Sequence, residues 1–125
     1  MSISVRLSDD QSHLIYKLEG PIDVNELMKA YDNEKQLRDS IPHTLHSIVD
    51  MSKVHRIPQN WLVAKTGPSL THPRSGYMLI VGISSGLKTM ALIISKITKY
   101  DRVKFFENRE EAEAYMVELV KQTSL

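Results

Sequence analysis

Asp50 and Ser52 close the stretch Leu45-His46-Ser47-Ile48-Val49-Asp50-Met51-Ser52 and are the first residues placed where chemistry could be done. The run ahead of them is too apolar and too short for a surface helix, so it reads as an interior strand from about Thr44 to Asp50. The carboxylate then arrives at the strand's C-terminal edge, where ligands commonly meet an α/β sheet. There it can serve as a base or a ligand contact, or it can tie down the following loop by accepting backbone N–H groups. Ser52, His55, Gln59, Trp61 and Arg74 follow closely enough to form a polar rim around it, with Trp61 as a flat contact surface. A second candidate is Gly82-Ile83-Ser84-Ser85-Gly86-Leu87-Lys88-Thr89, between an apolar strand and a helix. It has the outline of a phosphate-binding loop, but Leu87 stands where a glycine must precede the lysine, so nucleotide chemistry does not follow. What remains is an anion-binding helix N-terminus built on Ser84, Ser85, Gly86 and Lys88.

The five histidines do not assemble into a site by spacing. His43 and His46 are three apart, yet one precedes a strand and the other lies in it, so no helical face joins them. His13, His55 and His72 have no His or carboxylate at ligand spacing. With no cysteine, a thiolate metal site and a disulfide are both excluded. The expectation is no catalytic constellation, no metal and no cofactor, hence no enzyme; a weaker reading keeps an enzyme site around Asp50 and His55.

The elements that would hold these residues follow from pattern. Ile3, Val5 and Leu7, then Leu14, Tyr16 and Leu18, alternate with polar neighbours around Asp9-Asp10, which predicts a β-hairpin. Asp23 offers an N-cap with Glu26 three residues on, and Val24, Leu27, Met28 and Tyr31 give the helix to about Asp39 its apolar stripe. Pro58 suits the first turn of a second helix, to about Lys65, that Gly67-Pro68 would stop. Ser69 to Gly76 has turn formers and no period, and is expected to be a loop and the most mobile segment. Tyr77 to Val81 reads as a central parallel strand. Gly86 to Thr98 reads as a helix buried through Leu87, Met90, Ala91, Ile94 and Ile97, with Leu92 left outside. Val103 to Phe106 is the last strand. Asn108 and Glu111 then cap a helix packed through Ala112, Tyr115, Met116 and Leu119.

The predicted order is ββαβαβαβα, an α/β fold with a mixed, mainly parallel sheet in one domain over 1–125. Sixteen basic and fifteen acidic side chains leave a formal charge of +1, so no overall field draws the chain to nucleic acid or an anionic membrane. The basic group Lys88, Lys96, Lys99, Arg102 and Lys104 reads as a solvated face. No apolar run reaches the ~20 residues of a spanning helix. No cysteine and no leader-like start make a cytoplasmic location the expectation.

Three segments carry a family resemblance: Ile48-Val49-Asp50-Met51-Ser52, Met78-Leu79-Ile80-Val81-Gly82, and Val103-Lys104-Phe105-Phe106-Glu107-Asn108-Arg109-Glu110-Glu111-Ala112. In order and spacing the chain resembles the STAS domain superfamily, in its SpoIIAA-like branch of small stand-alone bacterial proteins. The resemblance implies a regulatory or ligand-binding module, because STAS domains act as anti-sigma-factor antagonists and as cytoplasmic parts of anion transporters. It also implies a phosphorylatable Ser or Thr opening the second helix. Here that stretch is Pro58-Gln59-Asn60-Trp61, and neither Pro58 nor Gln59 can accept phosphate, so partner switching by phosphorylation is not expected. The expected function is a non-enzymatic domain working through protein contact or small-ligand binding. The alternative is a carrier of an apolar ligand or lipid, since this branch is similar in fold to the lipid-carrying CRAL-TRIO domains and Tyr77 to Ile97 is unusually apolar. A protein partner, a small apolar ligand and a homodimer all stay open.

Overall fold

The computed structural model describes residues 2–56 and 59–123. Strands β1 (Ser2–Leu7) and β2 (His13–Glu19) form the expected antiparallel hairpin, with Leu7 opposite Leu14. Its turn is held by Asp10, whose carboxylate accepts from Ser8 Oγ at 2.7 Å, Ser12 Oγ at 2.7 Å and Ser12 N at 3.1 Å. Those bonds, led by the Ser12 hydroxyl, hold the Asp10 carboxyl down at about 2. Helix α1 (Val24–Ser40) starts at Asp23, whose side chain accepts from Asn25 N. Strand β3 (Leu45–Lys53), β4 (Ser75–Val81) and β5 (Val103–Phe106) add to β2 in parallel, giving one five-stranded sheet in the order β1-β2-β3-β4-β5.

The strand order never reverses, and this fixes the layers. Successive right-handed crossovers that always step the same way must lie on the same face of the sheet. Accordingly α1, the 3-10 helix η1 (Trp61–Thr66), α2 (Pro68–Thr71) and α3 (Ser85–Thr98) cover one face. Helix α4 (Arg109–Thr123), which follows the last strand, crosses to the other and packs Ala112, Met116 and Leu119 on Ile48, Leu79 and Val81. It begins as its sequence foretells: Asn108 Oδ1 accepts from Glu111 N at 2.9 Å. The strand-order reversal that makes a ligand crevice in doubly wound sheets is therefore missing between any pair of strands, and the C-terminal edge at Asp50 has no such crevice.

Four expectations change. The second helix is not an α-helix: Trp61–Thr66 forms a single 3-10 segment whose N-cap, Asn60, makes no side-chain capping bond. Six residues before Gly67-Pro68 are too few to offset the cost of α-helix nucleation, and short 3-10 pieces are the usual outcome. The part of that helix expected at Pro58 lies outside the described residues. Pro68, expected to stop a helix, instead opens α2 from its first position, where its missing N–H costs nothing. The stretch from Ser69 is also no free loop. Ser69 is buried, Ser75 already belongs to β4, and Arg74 donates to the carbonyls of Arg38 at 2.7 Å and Ile41 at 3.1 Å. Finally Ile97, assigned to the buried stripe of α3, is 54% exposed, while Leu87 and Ile94 carry the burial.

Candidate functional site

The sequence-predicted polar rim divides. Asp50 Oδ1 accepts from Ser52 N at 3.0 Å and Ser52 Oγ at 2.6 Å, so the carboxylate closes its own turn. Burial works against its charge, but the Ser52 bonds outweigh it and hold the carboxyl below its ordinary range. Gly82 is needed there: it has φ +66, and a Cβ on it would stand 2.8 Å from Ser52 Cβ. His55 and Gln59 are exposed beyond the strand end. Arg74 is elsewhere. It precedes β4, whose first residue pairs with Leu45, whereas Asp50 pairs with Val81 at the far end of the same strands. The second candidate is also dispersed. Ser84 caps α3 by accepting from Leu87 N, Ser85 and Gly86 are exposed, and Lys88 Nζ lies 4.8 Å over the Phe105 ring of the edge strand.

Trp61 alone among these residues leads into an interior feature. Its half-buried side chain borders a cavity of about 180 Å³ between the sheet and the crossover layer. The sheet contributes Tyr16, Val49, Met51, Met78 and Ile80 to its floor. Leu27 and Tyr31 of α1, Ala64 of η1, Leu70 of α2, and Leu87, Met90 and Ala91 of α3 form its walls. The alternation of strand side chains explains the floor: Val49 and Met51 face this layer while Ile48 faces α4. The incomplete filling also has a local cause. A six-residue 3-10 segment, followed by one turn of α2, spans a width for which the neighbouring crossovers use 17- and 14-residue helices. No Asp, Glu, Lys, Arg or His lines this cavity among the described residues.

Behind the α1 end of the cavity lies a polar group that sequence reasoning missed. Glu34 and Arg38, 0% and 1% exposed, form an ion pair at 2.7 Å within α1. Glu34 also accepts from Tyr16 Oη at 2.6 Å and Ser69 Oγ at 2.7 Å, and Arg38 Nη1 donates to Leu45 O at 2.7 Å. The network therefore joins α1, β2, β3 and α2. Burial, with the Glu34 charge second, pushes the hydroxyl of Tyr16 far above its usual range, and the same two causes raise that of Tyr31. The signal was present: continuing the Leu27–Tyr31 stripe by helical steps lands on Glu34 and Arg38, an acid and a base one turn apart.

The opposite face holds two of the histidines side by side. His13 pairs with His46 across β2 and β3, and His46 Nδ1 accepts from Tyr77 N at 2.8 Å. Burial lowers both imidazole pKa values below the ordinary 6.5. Among the described residues no three His, Asp or Glu side chains are grouped to hold a metal ion, and no helix is long and apolar enough to cross a membrane. Models of known families, curated proteins and solved structures were compared with the chain, and none matches significantly.

Proposed function

We propose that this protein is a non-enzymatic STAS-like, SpoIIAA-like binding domain that works by holding a small apolar compound in the cavity beneath η1. The observation that carries the reading is the cavity itself: about 180 Å³, bounded mostly by aliphatic, methionine and aromatic side chains, with no charged residue on its surface among those described. Dry apolar cavities of ~150 Å³ bind benzene or xenon, whereas drug-sized ligands need ~300–1,000 Å³. The occupant is accordingly a single ring or a short chain. A diacyl lipid exceeds this volume, which weighs against the CRAL-TRIO-like carrier as the main reading and keeps only its apolar-ligand part.

The STAS-like assignment rests on the resemblance of the three segments named above and on a hairpin followed by parallel strands, which agrees with it in order. Gln59 stands where the family has its phosphorylatable residue, so in this reading occupancy of the cavity replaces phosphate as the regulating event. Protein contact is the second reading, favoured by the exposed Leu92, Ile93 and Ile97 of α3.

Toluene titration followed by the fluorescence of Trp61, the only tryptophan, tests the main reading. Saturable quenching or enhancement is expected, and it should disappear in Ala91→Phe and Ala64→Leu, which fill the cavity from two sides. A linear, non-saturating response in the wild type rules the reading out.

A further inference from the structure

The cavity is apolar but not uniform, since Asn60, Ser95 and Tyr100 also line it, and the end nearest Glu34 carries information about what fits. Tyr16, Tyr31 and Ser69 all contribute to its lining, and all three gather at the Glu34 end of α1. The Tyr16 and Ser69 hydroxyls each donate their proton to Glu34, which leaves lone pairs on both oxygens able to accept. The Tyr31 hydroxyl has no hydrogen-bond partner among the described residues, so its proton is free to be donated. Its ring is fixed against Gly67, where an added Cβ would meet Tyr31 at 3.0 Å. Tyr31 stands between this cavity and an outer groove bordered by Lys35 and His72, and the three hydroxyls together hold one free donor and two acceptors, a complement to a single hydroxyl group.

The electrostatics at this end exclude another ligand class. Glu34 lies directly behind the Tyr16 and Ser69 hydroxyls, while its counter-ion Arg38 turns away to Leu45 O and does not line the cavity. A ligand carboxylate entering here would lose its hydration with no cation to receive it, and would meet a buried negative charge. Burial displaces both phenol groups upward first, and the Glu34 charge, the second cause, is the same field acting on the protein's own side chains.

We propose that the cavity selects neutral compounds of one ring or a short chain that bear a hydroxyl group, bound by Tyr31, Tyr16 and Ser69, and that it rejects carboxylates. This rests on the cavity reading of the preceding subsection and narrows it to a ligand class.

The test is calorimetric titration of the full chain at pH 7 with toluene, phenol and benzoate, repeated on Tyr31→Phe. That substitution removes a hydroxyl with no protein partner, so the fold should be retained, and an unchanged urea midpoint would verify it. In the wild type, toluene and phenol should bind and benzoate should not. In Tyr31→Phe, phenol should weaken about threefold to tenfold, the scale of one hydrogen bond, and toluene should stay within about twofold. Benzoate binding with an affinity like that of phenol overturns the proposal, as does a phenol affinity unchanged by Tyr31→Phe. If toluene binds under either of those outcomes, the cavity reading survives and only the ligand class is wrong. If neither toluene nor phenol binds, both readings fail.

Discussion

Replacing Arg38 by methionine should be among the most damaging single substitutions in the chain, although it keeps an unbranched apolar stem. The variant leaves the Glu34 carboxylate wholly buried with two hydroxyl donors and no cation, and it strips Leu45 O of the guanidinium bond at 2.7 Å. Breaking a buried ion pair from one side costs about 3–5 kcal/mol, a large part of the ~5–15 kcal/mol that holds a domain folded. With a urea slope of about 2 kcal/mol per M, the midpoint should fall by about 1.5–2.5 M, read by Trp61 fluorescence or circular dichroism. The double variant Glu34→Leu with Arg38→Met removes both charges at once and should be less damaged than Arg38→Met alone, despite two fewer polar groups. The Tyr16 hydroxyl then still reaches Ala30 O at 3.3 Å. A loss below about 1 kcal/mol in Arg38→Met, or a double variant worse than the sum of the singles, would refute the view that this pair is a dry, mutually dependent unit.

Other outcomes follow from single contacts. Gly76→Ala should cost about 1–3 kcal/mol, because its Cβ would stand 2.2 Å from His46 Nδ1, and that ring cannot move off without losing the bond from Tyr77 N. Chemical denaturation checks this, and an unchanged midpoint contradicts it. Gly82→Ala should lose about 1–2 kcal/mol from its φ of +66 alone, with the Ser52 contact adding to that. Stability should also fall on mild acidification. Burial depresses His13 and His46 below 6.5 in the folded protein, so the unfolded chain takes up protons first. Their contribution is complete above 6.5 and is lost as pH drops below it through the folded values. Urea midpoints at pH 7.5 and 5.5 should show the decrease, and a higher midpoint at 5.5 would contradict the sign.

Much of the fold was legible because its elements announce themselves locally. The hairpin alternates around Asp9-Asp10, Asp23 and Asn108 mark helix starts, and Tyr77 to Val81 is a continuous apolar strand. The segment from Trp61 to Gly76 was misread because its local cues compete. Gly67-Pro68 stops one helix and starts another with the same two residues, and the hydrogen bonds of Ser69 and Arg74 come from α1, more than thirty positions away in sequence. The candidate site was harder still. Asp50 and Ser52 looked chemical and turned out to be satisfied by each other, whereas the cavity draws on eight strands and helices, none of which is unusual alone. Glu34 and Arg38 drew no attention in the sequence because charged side chains are rarely buried whole.

The most direct measurement uses the methionines. Of six in the chain, Met51, Met78 and Met90 border the cavity, and Met116 of α4 packs on the opposite face of the sheet. In a spectrum of protein carrying 13C-labelled methionine methyl groups, adding toluene should shift the signals of Met51, Met78 and Met90 along a common saturation curve and leave Met116 in place. Met116 moving with the others, or the three cavity signals staying still at saturating toluene, would contradict the claim that this protein binds small apolar compounds between its sheet and its crossover layer.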